Sequence, residues 1–124
     1  MNCPFCTLLS SQIIKANAHA VAFIDGFPVS PGHTLIIPKR HIGSLFEATD
    51  EERAALFDLL GVMRERLLHE RKAYGFNIGI NDGEAAGQTV MHLHIHLIPR
   101  YANDMPDPRG GVRWIFPDKA AYWK

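Results

Sequence analysis

The sequence predicts an α+β fold in which a set of antiparallel strands carries one long helix. Three observations lead there. One amphipathic segment runs from Asp50 to Tyr74, several short apolar runs are cut off by proline or glycine, and histidines alternate with aliphatic residues over 92–96. At 124 residues, a single domain spanning 1–124 is expected. An apolar content of 47% supplies a core, and 13 basic residues balance 13 acidic ones. A disordered chain would be poorer in apolar residues and more highly charged. The zero net charge argues against a general nucleic-acid binder, though not against a small anionic ligand. No apolar run approaches the roughly 20 residues of a membrane span. The start of the chain carries no visible secretory signal.

Taken in order, Thr7 to Lys15 reads as a short helix, with Leu8, Leu9, Ile13 and Ile14 available for burial. Val21 to Ile24 reads as a strand, and 27–32 as a turn punctuated by Pro28, Pro31 and Gly32. Thr34 to Ile37 is a compact strand stopped by Pro38. Asp50 to Tyr74 is the helix: Thr49 and Glu52 have capping-box spacing, and Leu56, Leu59, Leu60, Met63 and Leu67 form one apolar face. Gly75 can end it. Phe76 to Ile80 and Val90 to Ile98 read as strands joined by the 81–87 loop, hence as an antiparallel pair. A final strand is expected over Val112 to Phe116.

Cys3 and Cys6 form a C-x-x-C pair. It can be half of a zinc site, a pair of free reduced thiols, or a redox couple. The redox reading is the weakest, since such couples follow a strand and only two residues precede Cys3.

His92-Leu93-His94-Ile95-His96 carries the strongest signal. A strand period of two would put all three rings on one face and Leu93, Ile95 and Leu97 on the other. Three adjacent imidazoles repel one another when charged. Most must therefore be neutral near pH 7, available as nucleophile, base or metal ligand. On a flat strand they would span roughly 13 Å, too far to converge on one ion unaided.

This stretch resembles the H-φ-H-φ-H-φ-φ signature of the histidine triad (HIT) family of nucleotide hydrolases and transferases. Two further segments are similar to that family in the same order: Pro31 to His41, and the loop Asn81 to Thr89. The resemblance implies a HIT-like α+β fold, an antiparallel sheet of about five strands with one long helix, in a homodimer. It implies a purine nucleotide substrate, with no nucleic acid or membrane as partner. The reaction implied is hydrolysis of a nucleotidyl phosphoanhydride or phosphoramidate. His94 would be the nucleophile at the α-phosphorus, and His96 would contact phosphate oxygens or the leaving group. Gln88 and Thr89 would donate to phosphate, with Gly87 allowing close approach and Asn81 nearby. Asp25 would hold the ribose hydroxyls, Phe23 and Ile24 would line the base pocket, and His33 would stand behind the triad. Each of these is unremarkable alone; Asp25 before Gly26, for example, is an ordinary turn signal.

Family members that begin with C-x-x-C use it, with two histidines, to bind zinc. By that resemblance Cys3, Cys6, His41 and His92 make a structural Cys2His2 site, which requires reduced thiols and hence a cytoplasmic setting. The stretch Arg109 to Pro117 is similar to bacterial members described as diadenosine tetraphosphate hydrolases. Trp114, Phe116, Tyr122 and Trp123 are expected to pack across a dimer or to cap the site, and Arg113 to meet a phosphate or make an exposed ion pair. His19 and His69 read as surface residues. A nucleotide-binding regulatory module, or a zinc-dependent interaction domain without turnover, is the alternative.

Overall fold

A computed structural model describes residues 2–124. Five antiparallel strands form one sheet in the order β1-β2-β3-β5-β4. The strands are β1 (Ile13–Ala16), β2 (Ala20–Ile24), β3 (Thr34–Pro38), β4 (Gly75–Gly79) and β5 (Ile95–Arg100). The long helix α1 covers Asp50–Arg71, and a short α2 covers Pro117–Ala120.

The helix starts where its cap chemistry demands. Thr49 accepts from the Glu52 amide at 3.1 Å, and the Thr49 amide donates to Glu52 Oε1 at 2.9 Å. Those two bonds satisfy helix-end groups that would otherwise be orphaned. Glu52 is buried and also receives Arg40 at 2.8 and 3.0 Å, which holds its carboxyl down at about 2. The apolar face of α1 (Leu56, Leu59, Met63 and Leu67) packs on Ala20, Ala22, Ile36, Leu93, Ile95 and Leu97. On the sheet's other face, Val21, Phe23, Leu35 and Ile37 are covered by Phe5, Leu8 and Ile13. The sheet is thus buried from both sides, by a helix and by the N-terminal segment. The functional side chains lie in the second layer.

Four expectations need correction. Residues 7–15 are not a helix: a single 3-10 turn (Ser10–Gln12) leads directly into β1. Ile13 and Ile14 are β-branched, and pairing with β2 outweighs their helical spacing. The long helix ends at Arg71, because Lys72 takes a left-handed conformation (φ 56°) and the Tyr74 amide turns to the Arg100 carbonyl. The last strand starts at Ile95, not Val90. The His92 carbonyl is taken by the His94 ring, and the Leu93 amide bonds Ile42, so neither extends the ladder. The alternation survives, with Leu93, Ile95 and Leu97 still facing α1. Finally, residues 112–116 are no strand: a 3-10 turn over Gly111–Ile115 precedes α2. Gly110 and Gly111 both have positive φ, and Pro117 opens the helix. The fifth strand is therefore β1.

Candidate functional site

Two clusters of side chains share the sheet face opposite α1. The first joins the N-terminal turn to the start of the triad. The Cys6 amide bonds the Cys3 carbonyl at 3.2 Å, and that turn brings both sulfurs to one point. His92 Nδ1 lies 3.5 Å from each sulfur, His41 Nδ1 lies 3.2 Å from Cys6 Sγ, and the two ring nitrogens are 3.1 Å apart. His92 Nε2 donates to the Pro38 carbonyl at 2.8 Å. Its Nδ1 must then carry a lone pair, and that lone pair faces the sulfurs. Burial keeps this ring's pKa below the usual histidine value, which favours the neutral, ligating form. Cys3, Cys6, His41 and His92 form a candidate metal-binding group.

The second cluster is built from the opposite nitrogens. His94 Nδ1 donates to the His92 carbonyl at 2.8 Å. Its Nε2 is therefore the unprotonated nitrogen, and among the described residues it has no partner. The fixed donor behind His96 is a backbone amide. Val29 N–H donates to His33 Nδ1 at 3.1 Å, so neutral His33 carries its proton on Nε2 and donates to His96 Nδ1 at 2.9 Å. His96 in turn carries its proton on Nε2. Burial, then the neighbouring His94 and His33, push the His96 pKa down to about 4, so the ring is neutral at pH 7. Burial also lowers the His33 pKa. Asp25 Oδ2 lies 3.4 Å from His33 Nε2. Asp25, His33 and His96 are close enough to be read as a metal cluster, but the proton on His33 Nε2 lies between the two rings and makes His33 and His96 a hydrogen-bonded pair beside Asp25 instead.

A cavity of about 500 Å³ opens over this second cluster. Phe23, Ile24, Asp25, His33, Asn81, Gly87, Thr89, His94 and His96 all line it. The structure thus gathers residues separated by up to 73 positions around one imidazole with a free Nε2. Asp25 meets the cavity with one oxygen already engaged, since its Oδ1 accepts from the Phe27 amide at 2.8 Å. Gly87 sits at φ +94°, a conformation other residues resist.

Gln88 does not stand where it was expected. It is buried and does not line the cavity. Its amide donates to the Gly43 and Val90 carbonyls, and its Oε1 accepts from the Gly83 amide. With all of these bonds made, Gln88 orders the loop and has no hydrogen left for a phosphate. Arg113 does not line this cavity either: it stacks 4.8 Å over Tyr122 and bonds the Lys119 and Ala120 carbonyls. His19 and His69 are exposed, as expected.

Phe5 escaped the sequence reading. It lies between the two cysteines, edge-on to His94 at 5.1 Å and to Phe23 at 5.3 Å, and it walls the cavity. Its place inside the C-x-x-C turn was the available signal: whatever fixes the cysteines fixes this ring.

The HIT domain model matches residues 8–103. "Protein hit" of Bacillus subtilis is 40% identical over 104 residues, 81% of this chain and 72% of that protein. A zinc-bound histidine triad family protein of Mycobacterium smegmatis superposes with a TM-score of 0.77 at 34% identity, covering 86% of this chain and 81% of that one. The bis(5'-nucleosyl)-tetraphosphatase (asymmetrical) of Schizosaccharomyces pombe is 36% identical over 99 residues, 80% of this chain but 54% of the enzyme. The chain belongs to the HIT family. Among the described residues, no helix is long and apolar enough to cross a membrane.

Proposed function

We propose that the protein hydrolyses a nucleotidyl phosphoanhydride or phosphoramidate at its α-phosphate, through a nucleotidyl group held on His94. One observation carries the reading: His94 has its Nδ1 tied to a backbone carbonyl and its Nε2 free in a cavity beside a neutral His96. A neutral imidazole held in one tautomer is a competent nucleophile at pH 7. His94 Nε2 attacks the α-phosphorus; the N–P bond forms as the bond to the leaving oxygen or nitrogen breaks. The His96 Nε2–H donates to a phosphoryl oxygen or to the departing atom. Water then attacks the same phosphorus, the N–P bond breaks, and a nucleoside monophosphate leaves with the imidazole restored.

The base would lie against Phe5, Phe23 and Ile24. The free oxygen of Asp25 would accept from the ribose, and Asn81, Gly87 and Thr89 would border the phosphate. Gln88 would act by holding that loop. Support from relatives comes from the family and from the named tetraphosphatase.

Zinc is the ion we assign to Cys3, Cys6, His41 and His92. A tetrahedral zinc holds such ligand atoms roughly 3.3–3.8 Å apart. Four of the six ligand-atom pairs here lie 3.1–3.5 Å apart, within a few tenths of that range, and all four atoms lie within 4.8 Å of one another. With four protein ligands the ion would be structural, tying the N-terminal turn to the sheet. The proposal takes the whole chain as one HIT domain, acting as a homodimer in a reducing compartment.

A substrate panel on wild type and His94→Ala tests the function: diadenosine polyphosphates against adenosine phosphoramidates. Turnover by wild type and its loss in the variant are expected. A wild-type protein inactive on every substrate, or a fully active His94→Ala, would overturn the reading.

A further inference from the structure

The Val29 amide sets the proton of His96 through His33, and Val29 sits in the 27–32 turn between β2 and β3. Val29 is 71% exposed, so packing does little to hold that amide in place. Most hydrogen bonds of the turn are local, to Asp25, His33 or Thr34. Among the described residues, two tie it to another part of the fold. Ser30 Oγ donates to the Pro99 carbonyl at 2.8 Å, and the Tyr101 hydroxyl donates to the Pro31 carbonyl.

Both anchors belong to the segment that carries His96. β5 pairs with β3 only as far as Leu97, so its last residues leave that edge to the turn. Successive carbonyls of a strand point to opposite edges. The Arg100 carbonyl takes the Tyr74 amide on the β4 side, so the Pro99 carbonyl faces the turn. Pro99 is fully buried, and Ser30 supplies the partner its carbonyl needs. Tyr101 is fixed in its own turn. Its amide donates to Asp104 at 3.0 Å, and Arg100 clamps the same carboxylate with two bonds of 2.8 Å.

We infer that Ser30 and Tyr101 are positioning residues, which hold the 27–32 turn against β5 so that the Val29 amide keeps the His96 proton on Nε2. Without that amide, neutral His33 can carry its proton on either nitrogen. With the proton on His33 Nδ1, His33 Nε2 accepts from His96 Nδ1. His96 Nε2 is then bare and has no hydrogen for a phosphoryl oxygen or a departing atom. The effect on rate rests on the hydrolase reading above; the effect on the tautomer does not.

Nitrogen-15 NMR of the imidazoles in wild type, Ser30→Ala, Tyr101→Phe and Ser30→Thr tests this. Tyr101→Phe removes one hydroxyl and keeps the ring, so it reads the tautomer even if Ser30→Ala fails to fold. Wild type should hold the His96 proton on Nε2. Ser30→Ala and Tyr101→Phe should each populate the second tautomer of His33 and His96. Their kcat for adenosine 5'-phosphoramidate should fall about ten-fold, the scale for partners that orient a functional imidazole. Ser30→Thr keeps the hydroxyl and should keep the wild-type tautomer and rate. A His96 proton that stays wholly on Nε2 in both Ser30→Ala and Tyr101→Phe, or in Tyr101→Phe where Ser30→Ala does not fold, would overturn the inference and leave the hydrolase reading intact. A wild type that cleaves no substrate, with the tautomer shifting as expected, would overturn the hydrolase reading and leave the positioning role standing.

Discussion

His92 and His94 are two residues apart and carry the same ring, yet they are wired in opposite senses. His92 is tied through Nε2 to the Pro38 carbonyl and turns Nδ1 to the cysteines. His94 is tied through Nδ1 to the His92 carbonyl and leaves Nε2 free. The backbone acceptor each ring finds, not the residue type, decides whether the imidazole faces sulfur or the cavity. The two are also coupled. His92, a member of the candidate metal-binding group, supplies the carbonyl that orients the His94 ring, and Phe5 in the C-x-x-C turn rests on His94.

The comparison can be broken from either side. His94→Ala is expected to lower kcat by about 10⁴-fold, the scale seen when a covalent nucleophile is removed. Elemental analysis of the same variant should show metal content unchanged. Cys6→Ala should do the reverse. Cys6 is exposed, so its truncation costs little packing; metal content should fall and Tm should drop by roughly 10 °C, equivalent to about 3 kcal/mol. Activity should fall less than in His94→Ala, by way of a loosened Phe5.

His33→Ala sharpens the account of the catalytic side. It removes the donor that fixes the His96 tautomer, so kcat should fall roughly ten- to hundred-fold with KM for substrate little changed, as for other partners that orient a functional imidazole. Nitrogen-15 NMR of the wild-type imidazoles should place the His96 proton on Nε2 and keep that ring neutral down to about pH 4.

Glu52→Gln lies outside both clusters and should be the mildest change. The Glu52 pKa is depressed from 4.5 to about 2 in the folded protein. The unfolded chain therefore binds the extra proton first as pH falls. Stability from this pair is fully present above pH 4.5 and is lost as pH falls toward 2. With Arg40 half exposed, the amount is about 1–2 kcal/mol. Acid denaturation of Glu52→Gln should show that much less pH dependence, at unchanged kcat.

Much of this was legible in the sequence because it rested on local chemistry. The Thr49–Glu52 capping box, the apolar face of α1, β2 and β3 need only their neighbours in the chain to be read. Asp25, His33, Asn81, Thr89, His94 and His96 were gathered by motif, and the fold brings them to one cavity. What stayed hidden depended on partners far away. β1 looked helical until β2 paired with it. The strand of the triad looked longer because nothing in its spacing shows that a ring will take the His92 carbonyl. Gln88 looked like a phosphate donor because a glutamine's side chain can serve a loop as readily as a ligand. The Val29 amide, which settles the tautomer of His96 from a distance, has no side-chain signal at all.

The central claim is that His94 Nε2 carries the nucleotidyl group during turnover. Rapid acid-free quenching of wild type with a dinucleoside polyphosphate, followed by peptide mapping, measures this directly. A nucleoside monophosphate adduct on His94, formed and lost at rates that account for kcat, is the result expected. Steady turnover with no adduct, or an adduct on another residue, would contradict it.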